Sequence, residues 1–78
     1  MLKAKNVAVY KTNVIEPKAA KSILDLIRKK FQHYDVSIDL DDCDNVLRVE
    51  NLNGSVDDTT VKKIVSARGH QIERLPVN

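Results

Sequence analysis

Six residues in three short segments of this 78-residue chain have side chains that could hold a cation. They are Glu16, Asp41, Asp42, Cys43, Asp44 and His70. Carboxylate oxygens suit hard cations, whereas thiolate and imidazole groups suit softer ions such as zinc or copper. These residue types therefore favour the binding of a metal ion, provided that the fold brings the three segments together.

Each of these residues also has a purely structural interpretation. The aspartates lie in the polar run at residues 41–45, and such a composition is typical of a turn. The run does not follow the calcium-loop pattern, because the central glycine and the final glutamate of that pattern are missing. Cys43 can be an ordinary loop thiol. His70 lies two residues before Ile72 and therefore on the same face of the strand. A histidine that packs at the edge of the core is thus the alternative to a metal ligand.

No spacing in the sequence indicates a catalytic centre. The chain has no recognisable nucleophile–base arrangement and no glycine-rich phosphate loop, and we assign no catalytic residue. Its 78 residues correspond to one domain, spanning residues 1–78, in which little volume remains for a deep substrate pocket. We therefore expect a binding, carrier or regulatory module rather than an enzyme.

Composition narrows the range of partners and locations. The chain has 13 basic and 11 acidic residues, so its net charge of +2 is far from the basic excess of a nucleic-acid-binding domain. Aromatic residues make up 4% of the chain, which leaves few side chains to stack on bases. No apolar run approaches the ~20 residues of a membrane span, and the first ten residues lack the apolar core of a signal peptide. The single cysteine, Cys43, cannot form an internal disulfide, so we expect a cytoplasmic protein without nucleic-acid or membrane partners.

Hydrophobic periodicity predicts four strands and two helices. In the longer helix, Ile23 and Ile27 share one apolar face, and Pro17 suits the first helical position because its missing N–H group costs nothing there. Asp57 is the predicted N-cap of the second helix, and Gly69 is its predicted end. The predicted strands are 6–12, 34–40, 46–50 and 71–75, and the predicted helices are 18–31 and 58–68.

The order of these elements is β-α-β-β-α-β. It predicts an α+β ferredoxin-like sandwich, in which a four-stranded antiparallel sheet of order 4-1-3-2 carries both helices on one face. This topology brings three connections to one end of the sheet. We therefore expect Glu16, the hairpin at residues 41–44 and His70 to share that edge, with the hairpin within about 10 Å of Glu16.

Two segments carry a resemblance to a known family. The run Val-Asp-Asp-Thr-Thr-Val-Lys-Lys-Ile-Val-Ser-Ala-Arg-Gly-His at residues 56–70 resembles the second helix of heavy-metal-associated domains, and residues 36–40 resemble their second strand. These domains handle copper and zinc in metallochaperones and transport ATPases, and they also form mercuric-ion-binding proteins. The resemblance covers about residues 7–75 and implies their fold.

The metal-binding motif of that family is Met-x-Cys-x-x-Cys, between the first strand and the first helix. Counting back from Ile23 puts Val14 at the methionine position, Glu16 at the first cysteine and Ala19 at the second. Both thiolates that would hold a soft cation are therefore absent. By this resemblance, Val14 is expected to fill the core beneath the loop, as the methionine does.

Two functions from different classes follow. The first is a non-catalytic protein-interaction or regulatory module that lacks the cysteine pair and binds no cofactor. It would contact a protein partner through the edge of the second strand or through the loop edge, as a monomer or weak homodimer. The alternative is a divergent metal-ion carrier that uses Glu16, Cys43 or His70.

Overall fold

A computed structural model of the chain describes residues 6–41, 43–51 and 54–76. The elements are β1 (Asn6–Thr12), α1 (Pro17–Lys30), β2 (Tyr34–Asp39), β3 (Val46–Asn51), α2 (Asp58–Ala67) and β4 (Ile72–Leu75). The strands form one antiparallel sheet in the order β2-β3-β1-β4. The predicted α+β class, the four-stranded antiparallel sheet and the two helices are thus confirmed.

The hydrophobic core joins residues of β1, β2 and β3 with residues of both helices. In β1, Ala8 and Tyr10 are fully buried, whereas Val7 and Val9 are half-buried on the other face. The sequence left this parity open, because both faces of the strand are apolar. Helix α1 contacts both β2 and α2, and α2 contacts β4. The buried residues are Ala8, Tyr10, Val14, Ala20, Ile23, Ile27, Val36, Leu47, Val49, Val61 and Val65.

Local signals set the ends of the helices. Pro17 opens α1, and Asp57 caps α2 by accepting the backbone N–H of Thr60 at 3.1 Å. Gly69 follows α2 with a φ of +83°, a conformation that glycine adopts without a Cβ clash. These three predictions are confirmed.

Several element boundaries differ by one residue from the prediction. Helix α1 ends at Lys30 because Phe31 turns to an extended conformation and stacks on Tyr34, with ring centroids 4.3 Å apart. Strand β2 ends at Asp39, whose carboxylate accepts the backbone N–H of Asp41 at 3.0 Å and starts the turn. Strand β3 continues to residue 51, α2 stops at residue 67 and β4 begins at residue 72.

Candidate functional site

Three connections meet at the end of β1. They are residues 13–16 between β1 and α1, residues 40–45 between β2 and β3, and residues 68–71 between α2 and β4, and we call their meeting place the loop edge. The backbone N–H of Thr12 donates to the carbonyl of Asp44 at 3.2 Å, and that of Asn13 donates to the carbonyl of Gln71 at 3.3 Å. The chain therefore brings these three connections together, as the topology predicts.

Thr12 holds the hairpin side of the loop edge. Its buried hydroxyl donates to the carbonyl of Asn45 at 2.7 Å and accepts the backbone N–H of Val14 at 3.2 Å. Asn45 has a φ of +47°, in the left-handed region that asparagine tolerates better than most residues. Val14 is fully buried, so the predicted role of this residue beneath the loop is confirmed.

Asn13 holds the opposite side of the loop edge. Besides its backbone bond to Gln71, its side-chain Oδ1 accepts the backbone N–H of Gln71 at 2.8 Å. The two residues thus exchange a pair of hydrogen bonds between the start of one connection and the end of another. The hydrogen bonds described between the three connections come from a threonine, an asparagine and backbone groups, none of which ionises near neutral pH.

The three predicted metal ligands each lie on a different connection of the loop edge. Glu16 is exposed at the N-cap of α1, where its side chain makes no capping hydrogen bond. Cys43 is an exposed free thiol in the hairpin. His70 is half-buried, with its backbone N–H 3.4 Å from the carbonyl of Val65, and its ring makes no hydrogen bond to a described residue.

These side chains do not form a ligand cluster within the described part of the chain. Among residues 6–41, 43–51 and 54–76, no group of three or more histidine, cysteine, aspartate or glutamate side chains is arranged to hold a metal ion. Asp44 forms an ion pair with Lys11 at 3.9 Å, Asp41 is exposed, and Asp42 lies outside the described residues. The metal site at Glu16, Cys43 and His70 stays a prediction.

A small cavity opens beside the loop edge, between β1 and β4. Its volume is about 270 Å³. It is lined by Lys11, Thr12, Asn13, Gln71, Ile72 and Glu73. None of the three predicted ligands belongs to this lining, so the cavity and the predicted metal site are separate features.

A second cluster of polar side chains lies where β1, α2 and β4 meet. The Tyr10 hydroxyl donates to Asp58 Oδ1 at 2.9 Å, Lys62 Nζ lies 3.2 Å from Asp58 Oδ2, and Arg74 lies 3.6 Å from Asp58 Oδ1. We call Tyr10, Asp58, Lys62 and Arg74 the charge cluster. Because the Tyr10 ring is fully buried, it is not available for stacking on a nucleic-acid base.

The charge cluster shifts the pKa values of its two acidic members in opposite directions. Burial, followed by the hydrogen bond to Asp58 and the charge of that carboxylate, raises the pKa of Tyr10 far above its ordinary value. Partial burial opposes ionisation of Asp58, but the hydrogen bond from Tyr10 and the contacts with Lys62 and Arg74 outweigh it and lower the pKa of Asp58. At neutral pH the cluster therefore joins a neutral tyrosine to an ionised carboxylate.

The sequence interpretation missed this cluster, although two signals for it were present. Asp58 and Lys62 are four residues apart, which is the spacing of an ion pair on one helix. Tyr10 shares the buried face of β1 with Ala8 and Thr12, and a buried tyrosine hydroxyl usually has a partner. The contribution of Arg74 depends on the register of β1 against β4, in which Arg74 lies opposite Tyr10.

Charge is divided between two parts of the fold. The helical layer, which consists of α1 and α2, carries seven basic and two acidic residues and has a net charge of +5. The hairpin unit, residues 34–51, carries one basic and six acidic residues and has a net charge of −5. The small net charge of the whole chain therefore conceals two oppositely charged regions.

No family model, curated protein or solved structure matches the chain. Neither described helix is long and apolar enough to cross a membrane.

Proposed function

We propose that the chain is a small, non-catalytic protein-interaction or regulatory module of the heavy-metal-associated type, without the cysteine pair of that family. The order of the six elements supports a ferredoxin-like sandwich, as does the strand order, which is 4-1-3-2 when it is read from β4. The contact between the helices supports their position on one face. A cytoplasmic location is proposed because the exposed, unpaired thiol of Cys43 suits a reducing compartment.

The division of charge is the observation that carries this proposal. The helical layer has a net charge of +5, whereas the described part of the hairpin unit, residues 34–41 and 43–51, has five acidic residues and one basic residue. The small domain therefore has two regions with opposite electrostatic preferences. Complementary charge increases the rate of association between proteins and selects among partners. Such a surface requires neither a deep pocket nor a catalytic group, so it suits a protein partner.

The edge of β2 and the loop edge are the other two candidate contact surfaces. Strand β2 lies at one edge of the sheet, where a partner strand could add to it. The Arg28 guanidinium, however, donates to the Val36 carbonyl at 3.2 Å and covers part of this strand. The loop edge is held rigidly by Thr12 and Asn13, which favours a fixed contact surface.

Site-specific photo-crosslinking in the cells that make the protein tests the interaction role. A photoreactive amino acid would replace Lys21 in the helical layer, Asp35 in β2 or Gln71 at the loop edge, all of which are exposed. We expect a discrete adduct from at least one surface, identified by mass spectrometry, and none from the same cells without irradiation. If all three folded variants yield no discrete adduct, the interaction role is wrong.

The divergent metal carrier is the second candidate function. It is favoured by the meeting of the three connections that hold Glu16, Cys43 and His70, because ligands from separate segments converge only when the fold joins those segments. A carboxylate, a thiolate and an imidazole together would suit zinc better than copper(I), since copper(I) prefers soft sulfur ligands.

Titration of the reduced protein with zinc(II) and copper(I) separates the two functions. The carrier requires saturable zinc binding that weakens when Glu16, Cys43 and His70 are replaced by alanine. Replacement of His33, an exposed histidine in the α1–β2 connection, serves as the control. If the parent chain binds neither ion at micromolar concentration, the carrier is excluded; binding that survives the triple replacement excludes the proposed ligands.

A further inference from the structure

Two shallow depressions on the surface of α1 adjoin each other, because Leu26 and Lys29 line both of them. The first, with a volume of about 400 Å³, is lined by Lys18, Lys21, Ser22, Asp25, Leu26 and Lys29. The second, of about 310 Å³, reaches across to α2 and is lined by Leu26, Lys29, Lys30 and Ile64. We call this surface the basic groove.

The basic groove holds four lysines whose charges are not neutralised by described residues. Lys18, Lys21, Lys29 and Lys30 are all exposed, and none forms an ion pair with a residue in the described ranges. The acidic residue in the lining, Asp25, lies 3.8 Å from Arg28. The surface therefore presents a concentrated positive charge that a partner carboxylate could approach.

The wall between the two helices is apolar. Leu26 is 38% exposed, which is unusual for a leucine in a chain whose other large apolar helix residues are buried or half-buried. Ile64 is half-buried and packs against the core from α2. The groove thus offers a place for one apolar side chain beside four positive charges.

We propose that the basic groove binds an acidic amphipathic helix of a partner protein, with an apolar side chain against Leu26 and Ile64 and glutamates or aspartates near the lysines. Residues 18–30 extend about 18 Å along the helix axis, which matches about 12 residues of a bound helix. This inference rests on the proposed interaction role and adds to it the surface and the chemistry of the partner.

The alternative occupants fit this surface less well. A helix that lies on a membrane buries a broad apolar face in the lipid. The apolar face of α1, with Ala20, Ile23 and Ile27, is instead buried in the core, and Leu26 alone remains exposed on that helix. A second copy offers the acidic hairpin unit, but no large apolar side chain described in that unit is exposed to meet Leu26, and exposed charge pairs alone bind weakly.

Fluorescence anisotropy with a synthetic helical peptide tests the proposal. The labelled probe has leucine at every third or fourth position and glutamate at the others, and a matched peptide has glutamine in place of each glutamate. We expect saturable binding of the glutamate peptide, weakening as salt is raised, and binding of the glutamine peptide that is at least about tenfold weaker. If the two peptides bind equally, or if neither binds, the proposal is wrong.

Charge-reversal variants locate the binding surface. Lys18→Glu with Lys29→Glu is expected to weaken binding by about tenfold, because two attractive contacts become repulsive. Lys63→Glu with Arg68→Glu is the matched control, since it changes the net charge equally at exposed residues outside the groove. Equal losses in both pairs would show a general charge effect and overturn the assignment to the groove.

The remaining outcomes separate this proposal from its rivals and from the interaction role itself. Leu26→Ala is expected to weaken peptide binding about threefold to fivefold without a change in fold, and unchanged binding would remove the apolar contact from the proposal.

Binding to phosphatidylserine vesicles but not to the peptide would replace the partner helix by a membrane. Sedimentation that depends on protein concentration, with no peptide binding, would indicate a second copy. Adducts from residue 35 or 71, without peptide binding, would retain the interaction role and exclude the basic groove.

Discussion

The loop edge and the charge cluster are both built on β1, with Thr12 in the first and Tyr10 in the second, yet they use polar groups in opposite ways. At the loop edge, neutral side chains and backbone groups make the hydrogen bonds described between the connections, while Glu16 and Cys43 stay exposed. In the charge cluster, the ionisable side chains are bonded to one another.

This difference distinguishes side chains that stabilise the fold from side chains that are free to bind a ligand. The side chains of Glu16 and Cys43 make none of the hydrogen bonds described for the loop edge, so their replacement should not affect the fold. The charged groups around Tyr10 join three elements, so their replacement should affect stability and pH dependence. Whether a charged residue could bind a metal therefore does not indicate whether the stability of the fold depends on it.

Replacement of Tyr10 should have the largest effect. Tyr10→Ala removes a fully buried ring and is expected to lower the free energy of unfolding by about 3–5 kcal/mol. Tyr10→Phe keeps the ring and removes the hydrogen bond to Asp58, so about 1 kcal/mol should be lost. Urea unfolding measures both, and equal losses would contradict the division between packing and hydrogen bonding.

Replacement of Asp58 tests the charge of the cluster. Asp58→Asn should lower the free energy of unfolding by about 1–2 kcal/mol at pH 7, because the contacts with Lys62 and Arg74 lose their charge. Since the pKa of Asp58 is lower in the folded chain than in the unfolded one, its contribution is complete above its unfolded pKa of about 4 and is lost as the pH falls through the folded pKa.

Unfolding curves recorded between pH 7 and pH 2 therefore provide the check on Asp58. The difference between the parent chain and Asp58→Asn should shrink as the pH falls towards the acid end of the range. Asp35→Asn, at an exposed position of β2, is the control and should change the stability at pH 7 by less than about 0.5 kcal/mol. A pH-independent difference for Asp58→Asn would exclude a charge effect.

Replacement of Thr12 tests the loop edge itself. Thr12→Val keeps the shape of the side chain but leaves the buried N–H of Val14 and the carbonyl of Asn45 without their hydroxyl partner. We expect a loss of about 1 kcal/mol in the free energy of unfolding. Thr12→Ser retains the hydroxyl and should recover most of this loss, whereas equal losses in both variants would indicate that the methyl group matters instead.

Replacement of the exposed residues of the loop edge should have the smallest effect. Glu16→Ala and Cys43→Ser should each change the free energy of unfolding by less than about 0.5 kcal/mol, because neither side chain is buried. Thermal unfolding without added metal is the measurement. A loss above about 1 kcal/mol for either variant would mean that the loop edge depends on its ionisable groups, and the contrast with the charge cluster would disappear.

Much of the fold was predictable because its signals are local. The alternation of Val36 and Ile38 with Ser37 indicated a strand with one polar face, and the structure buries or half-buries the apolar pair and exposes the serine. Pro17 and Gly69 marked helix boundaries through their own backbone geometry. The end of α1 was less predictable, because the stacking of one aromatic ring on another across the α1–β2 connection ended the helix early.

The candidate site was predictable as a set of segments but not as a set of side-chain contacts. The topology correctly brought together the three connections that hold Glu16, Cys43 and His70. It could not indicate that Thr12 and Asn13 would make the bonds there, since those bonds depend on the exact path of each loop. The sequence therefore predicts the meeting of the three connections better than it predicts a metal site formed by their side chains.

The sequence by itself determined the element order, the helix caps and the absence of a second cysteine. It also determined the buried face of those strands in which apolar and polar residues alternate. These features depend on residue type and on neighbours a few positions away. The tertiary structure decided which face of β1 is buried, joined Tyr10 to Asp58 and Arg74, and aligned Leu26 with Ile64 between the helices. Those contacts form between residues far apart in the chain, so their geometry is fixed only when the sheet and the helices pack together.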